Sequence, residues 1–294
     1  MKYWMNLPEE YRKGKFVILP VSYEKDVTFG KGALLGPKEI IKASEHLEYY
    51  DEQFDCEPFL EGIELLGEVK AETPEEMVEK VSTKINHLFT GARHDYFSNK
   101  KCASIGASVQ NKFVIGIGGD HSVTIGLTKN LSEDTSVIIL DAHADFFHSW
   151  NGSTLNHRCV SQRLSAKHDL LLLGVRAMDR DEKEIIDNNE NVHMIKAYDF
   201  NLTKLKEILP KLKDKVYISI DVDVFDPSFI RNTGTPEPGG FNWNQVIAIL
   251  KVIFSEKEVV GADIVEFAPK ENFQAEAYSL AKLCYKIMGM KNAY

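Results

Sequence analysis

Three short segments carry side chains of the kinds that hold hard divalent ions. They read Ile117-Gly118-Gly119-Asp120-His121-Ser122, Leu140-Asp141-Ala142-His143-Ala144-Asp145 and Ser219-Ile220-Asp221-Val222-Asp223. Each follows an apolar run of strand type. On an extended backbone residues i, i+2 and i+4 share a face, so Asp141, His143 and Asp145 can converge, as can Asp221 and Asp223. An Asp-x-Asp alone more often marks a turn or a solvated pair, and Gly118-Gly119 alone suits a tight strand-to-helix turn. The glycine-rich piece lacks the Gly-Lys-Ser/Thr of a phosphate loop and the spacing of a dinucleotide fingerprint. The coincidence of three such pieces at strand ends is what points to a metal centre. A single tetrahedral zinc is satisfied by three or four ligands, so Asp141, Asp145, Asp221 and Asp223 with His121 and His143 suit two ions better. Carboxylate-rich ligation with some imidazole favours Mn²⁺, with Mg²⁺, Fe²⁺ and Co²⁺ compatible. Two such ions about 3.5–4 Å apart share a water and lower its pKa, which is hydrolase chemistry.

Positioning these groups requires a sheet. Apolar runs rich in Val and Ile recur at 15–20, 63–66, 113–117, 137–140, 170–173, 192–195, 216–220 and 259–264. Helical patterns fill the intervals at 37–47, 74–89, 123–131, 155–167, 181–188, 202–212, 244–254 and 275–288. Such alternation predicts an α/β protein whose eight strands form a mostly parallel sheet with helices on both faces. In a parallel sheet the loops that follow strands gather at one edge and form the ligand crevice. The least regular stretches are 23–36, 94–106 and 226–241. No linker, low-complexity tract or internal repeat divides the chain, so 1–294 reads as a single domain.

The whole chain sets further bounds. A net charge of −9 disfavours nucleic acid and anionic membranes as partners and favours cationic ones. Cys56, Cys102, Cys159 and Cys284 are scattered without a CxxC pair, which argues against a disulfide framework or a thiolate zinc site. No apolar run approaches the roughly 20 residues of a membrane helix, and the first residues lack a signal-peptide core. A soluble cytoplasmic protein is the expectation.

The three segments resemble the signatures of the ureohydrolase family, the arginases and agmatinases. The third continues as Val224-Phe225-Asp226-Pro227, and similarity extends through Gly36-Pro37, Gly174-Val175-Arg176, Thr233-Gly234-Thr235-Pro236-Glu237-Pro238-Gly239-Gly240 and Asp263-Ile264-Val265-Glu266, nearly the whole chain. The resemblance implies a three-layer α/β/α fold with an eight-stranded, mostly parallel sheet, assembled as a homotrimer or homohexamer. It implies two Mn²⁺ per subunit: His121 and Asp145 on one, His143 and Asp223 on the other, Asp141 and Asp221 bridging. It further implies that a guanidinium group is hydrolysed to urea and an amine, that Glu266 grips the guanidinium, and that His157 relays protons between solvent and the site. Asp145 or a neighbouring ligand would help carry the proton to the departing amine.

Elementary chemistry agrees with these roles. A guanidinium carbon is a poor electrophile, so the site must supply a strong nucleophile, a fixed orientation and a proton. A carboxylate such as Glu266 accepts two parallel N–H bonds from the planar guanidinium fork, where its bland alternative is an exposed strand-end glutamate. A histidine titrating near neutrality suits the relay, against the alternative of a helix-surface residue. His148 reads as such a surface residue, Phe146 and Phe147 as core or pocket wall, Trp150 as either, and Cys159 has no evident catalytic partner.

Within the family, Phe146-Phe147-His148 stands where arginases carry an asparagine that reads the amino-acid head of arginine, so arginine loses ground. The segments at 174–178 and 234–240 look more like agmatinases, making agmatine the expected substrate, with putrescine and urea as products in polyamine biosynthesis. Arg158 and Arg231-Asn232 depart from the usual pattern. If either arginine reaches the pocket mouth it favours a carboxylate tail such as that of 4-guanidinobutyrate; if both face solvent, agmatine stands. Aminopropyl-agmatine is a further candidate. A single-zinc amidohydrolase of the deacetylase type would lack the second aspartate of each pair. A non-catalytic homologue acting as a regulatory subunit would usually lose a ligand or the glutamate, and this chain keeps all of them.

Overall fold

The computed structural model describes residues 3–90, 112–270 and 274–294. The irregular stretch expected at 94–106, and Cys102 within it, lie outside the described residues. Among the described residues eight strands form: β1 (Phe16–Val21), β2 (Ile63–Leu65), β3 (Phe113–Gly118), β4 (Thr135–Leu140), β5 (Leu170–Val175), β6 (Val192–Lys196), β7 (Lys215–Asp221) and β8 (Glu258–Val265). They make one sheet in the order β2-β1-β3-β8-β7-β4-β5-β6, and every pairing is parallel. Every residue of β1, β3, β4 and β5 is buried. A parallel sheet covered on both faces demands such unbroken apolar runs, which is why the strands were legible without polar alternation.

Among the described residues the α-helices are α1 (Gly36–Ser44), α2 (Pro74–Thr90), α3 (Val123–Thr128), α4 (Val160–Ser165), α5 (Arg180–Asp187), α6 (Leu202–Ile208), α7 (Trp243–Glu256) and α8 (Gln274–Ala293). Side chains alternate across each strand and feed two cores. Phe113, Ile115 and Ile117 of β3 pack with Ile40 of α1, Leu205 of α6, Leu250 of α7 and Leu280 of α8. Val114 of the same strand packs into the opposite core with Val81 of α2, Leu127 of α3, Leu164 of α4 and Ile186 of α5. This is the three-layer α/β/α architecture that the sequence predicts. Helix starts follow local chemistry: Asn242 caps α7, its Oδ1 accepting from Gln245 N at 3.0 Å while its own N donates to Gln245 Oε1 at 2.9 Å. Among the described residues no helix is long and apolar enough to cross a membrane.

The strand order matters for function. The strands that lead into ligand residues, β3, β7 and β4, together with β8, which is followed by Glu266, are four consecutive neighbours in the middle of the sheet. Their carboxyl edges therefore meet at one place.

Candidate metal centre

Past β3 the backbone runs tight against the β1 exit. Gly119 N donates to Val21 O at 2.9 Å and Asp120 N to Tyr23 O at 2.9 Å. A Cβ at position 119 would sit 1.9 Å from Tyr23 O, so only glycine fits that approach. Asp120 is spent on structure, accepting from Lys25 N at 2.8 Å and Ser122 N at 3.0 Å. His121 is thereby turned into the crevice.

The other two motifs converge through turns rather than through extended backbone, a correction to the simple alternation argument. Asp141 Oδ1 accepts from His143 N at 2.6 Å, and Asp221 Oδ1 accepts from Asp223 N at 2.9 Å within a short 3-10 turn, Val222–Val224. Asp223 Oδ1 in turn accepts from Ala142 N at 3.0 Å, tying the β7 and β4 exits together. Asp145 has φ +51 and Glu266 has φ +66. Left-handed non-glycine residues cost about 1–3 kcal/mol each and persist where the surroundings over-determine them, as at functional sites.

All six expected ligands meet. His121 Nδ1 lies 3.0 Å from Asp141 Oδ2, 3.2 Å from Asp145 Oδ2 and 3.3 Å from Asp221 Oδ2. His143 Nδ1 lies 2.9 Å from Asp223 Oδ2 and 3.6 Å from Asp141 Oδ1. Two ligand groups result, His121 with Asp141 and Asp145, and His143 with Asp141 and Asp223, and they share Asp141. The His121 group fits a divalent cation on an observation independent of its composition, and the His143 group offers a second donor set that shares Asp141. Among the described residues His121 Nδ1 and Asp141 Oδ2 are buried without an aligned hydrogen bond, although they are neighbours. Buried polar atoms are seldom left so, and lone pairs converging on one point are satisfied by a cation between them.

Electrostatics says the same. Burial raises Asp145, and the Asp141 carboxylate adds to it, to a pKa of about 6. Burial opposes charge on His143, yet the Asp223 and Asp141 carboxylates push it up to about 12. His121 behaves alike, pulled well above its ordinary value by Asp141, Asp145 and Asp221 against the effect of burial. Protein charges alone leave this cluster short of positive charge.

Glu266 closes the crevice from β8. Its N donates to Gly119 O at 2.7 Å and its Oε1 accepts from His121 N at 2.8 Å. Burial, then the Asp120 carboxylate, push its pKa well above the ordinary range, the condition of an acceptor that awaits a cation. His157 is half-buried, with Nε2 3.0 Å from Thr28 Oγ1. Burial first, then the His121, Arg158 and His143 charges, lower it to about 4, which corrects the near-neutral titration expected of this residue. Both residues line one cavity of about 420 Å³ with His143, Asp145, Asp221 and Asp223. His148 is exposed outside it, near Arg163.

The two unusual arginines part company. Arg231 is absent from the cavity lining, its backbone N bonded to Glu276 at 2.9 Å and its guanidinium 3.9 Å from the same carboxylate. Arg158 does line the mouth. Its guanidinium stacks 3.9 Å from the Trp150 ring and 4.3 Å from Phe147, and lies 3.7 Å from Asp179. Phe146 is core.

Several lining residues escaped the sequence reading. Thr28, which meets His157, sits in the irregular 23–36 stretch and carries no motif. Asp179 and Glu182 form an Asp-x-x-Glu helix-start pattern that was there to be noticed, and Glu182 is committed to Phe146 N and Asp179 N, at 2.8 Å each. Glu237 lies in the 233–240 loop. Arg176 staples that loop, donating to Asp223 O at 2.6 Å, Glu237 O at 2.8 Å and Pro238 O at 3.1 Å.

A parallel α/β/α fold with paired carboxylates and histidines at the centre of its carboxyl edge defines a binuclear metal hydrolase. The family model described as the arginase family matches residues 14–289, and the chain belongs to that family. It is 35% identical over 292 residues to an N(1)-aminopropylagmatine ureohydrolase of Thermus thermophilus, covering 96% of this chain and 92% of that one. It is 30% identical to the agmatinase of Pyrococcus horikoshii, covering 97% and 95%. The crystal structure of the agmatine ureohydrolase of Thermoplasma volcanium superposes with a TM-score of 0.84 at 26% identity, covering 100% of this chain and 94% of the other. The chain is thus an enzyme, a hydrolase acting on guanidino groups.

Proposed function

We propose that this enzyme releases urea from a guanidino compound with a cationic amine tail, N1-aminopropylagmatine or agmatine, using two Mn²⁺. The observation that carries this is the charge of the crevice. Asp141, Asp145, Asp221 and Asp223 offset two divalent ions, and Glu266 then leaves the inner pocket negative, as a guanidinium requires. At the mouth Asp179 and Glu237 outnumber Arg158, whose charge Asp179 already meets. A carboxylate tail, which Arg158 at the mouth would otherwise favour, gains little from a cation so compensated. The relatives support amine tails, and the higher identity of the Thermus relative ranks the aminopropyl compound first.

In this reading His121 and Asp145 would hold one ion and His143 and Asp223 the other, and Asp141 and Asp221 would serve both. Bound there, the ions supply an activated water and positive charge for the developing anion. Glu266 accepts the guanidinium N–H groups and fixes the carbon over the ligand cluster. His157, neutral at pH 7 and held by Thr28, lines the same cavity as the ligand cluster and is the side chain placed to pass a proton between the leaving amine and solvent. Urea release from N1-aminopropylagmatine, agmatine, arginine and 4-guanidinobutyrate, with Asp223→Ala as the blank, tests the proposal. Preference for either guanidino acid would sink the tail assignment and leave the hydrolase standing.

A further inference from the structure

Behind His121, on the side of its Nε2 and away from the carboxylates at its Nδ1, lies a chain of buried polar groups. Tyr217 Oη donates to Asp263 Oδ2 at 2.8 Å, and Ser219 Oγ donates to Asp263 Oδ1 at 2.7 Å. Ser219 Oγ is also 3.1 Å from His121 Nε2 and 3.2 Å from Thr124 Oγ1. Ser219, Asp263, His121 and Thr124 are fully buried, and Tyr217 is 4% exposed. Tyr217, Ser219 and Asp221 alternate onto one face of β7, and the β7–β8 register sets Ser219 directly beside Asp263. On the other side of Asp263 is Gly116, where a Cβ would meet the Asp263 Cβ at 3.1 Å and the Leu127 side chain at 2.6 Å. The fold has made room here for a carboxylate within an apolar core, where an unpaired one is costly.

We infer that Tyr217, Asp263 and Ser219 are positioning residues that fix the tautomer of His121, and so select a metal ion at its Nδ1. The inference rests on the two-ion reading of the site. Ser219 has one proton, and Asp263 takes it. Its lone pairs are then left to accept from Thr124 and from His121 Nε2, which must carry hydrogen. A neutral imidazole with Nε2–H has its lone pair on Nδ1, the atom that faces Asp141, Asp145 and Asp221. Such outer groups typically change metal affinity 10–100-fold.

Asp263→Asn reverses the chain without changing its size. Tyr217 keeps the amide oxygen, the amide NH₂ turns to Ser219, and the Ser219 proton is freed toward His121 Nε2, which drives hydrogen onto Nδ1. The companion Asp263→Asn/Tyr217→Phe lets the amide oxygen rotate back to Ser219. Mn²⁺ is titrated calorimetrically into chelator-stripped wild type and both variants, with circular dichroism of the stripped proteins as the folding control. The expected result is two ions on wild type, one ion weakened about 10–100-fold in the single variant with the other unchanged, and recovery in the double variant. Unchanged binding in Asp263→Asn, equal weakening of both ions, or a double variant weaker than the single would each overturn the inference. Should Asp263→Asn fail to fold, Ser219→Ala carries the same test, with selective weakening of one ion expected and unchanged binding contradicting it. A wild type that takes up fewer than two ions refutes the two-ion reading itself.

Discussion

Arg158 stands at the mouth with its guanidinium stacked on Trp150 and facing Asp179, so it sets how much negative charge an incoming tail meets. Replacing it by Met keeps the apolar stem and frees Asp179. The KM for an amine-tailed substrate should then fall about two- to fivefold with kcat little changed, the size of a partly exposed charge pair. A rise in KM would mean that Arg158 itself reads the substrate. Deeper in the cavity, Glu266→Gln removes one of the two strong acceptors for the guanidinium fork; kcat/KM should drop on the order of 100-fold with Mn²⁺ content unchanged. His157 gives a pH test. Its folded pKa of about 4 lies below the unfolded 6.5, so the unfolded chain binds more protons between those values. Its contribution is whole above pH 6.5 and is lost as pH falls toward 4, by up to about 3 kcal/mol. Denaturation of the metal-free protein should therefore lose more stability over that window than His157→Asn does, and parallel losses would contradict the assignment.

At the scale of elements, the carboxyl ends of β3, β7 and β4 were legible because each ligand motif terminates an apolar run, and burial on both faces makes those runs continuous. What stayed hidden was decided by contacts distant in sequence. The turns that aim Asp145 and Asp223 depend on neighbouring strand exits, as the Ala142 N to Asp223 bond shows. The pairing of Ser219 with Asp263 depends on a β7–β8 register that no local pattern encodes. Thr28 reaches His157 because the 23–30 loop is folded back by Gly30 N bonding to Gly234 O at 2.9 Å. Gly119, by contrast, announces itself as half of a Gly-Gly pair. Gly119→Ala should destabilise the protein by about 3 kcal/mol or more, because backbone rather than a flexible side chain occupies the space of the new methyl. A wild-type melting temperature would show that the β1 exit can yield.

For the whole molecule, the converging carboxylates mean that folding and metal binding are linked. Each ion present at about 100 times its dissociation constant should add about 2.7 kcal/mol to stability, raising the melting temperature by several degrees. Because the same groups bind protons, Mn²⁺ affinity should weaken as pH falls and binding should release protons. The central claim, urea from a guanidinium with an amine tail, is met most directly by urea release from the Mn²⁺-loaded enzyme given N1-aminopropylagmatine, agmatine, 4-guanidinobutyrate and arginine in parallel. The account predicts that the two amine-tailed compounds are hydrolysed with kcat/KM at least about tenfold above the two acids, and that Asp223→Ala releases none. Faster hydrolysis of 4-guanidinobutyrate or arginine, or no urea from any of the four, would contradict it.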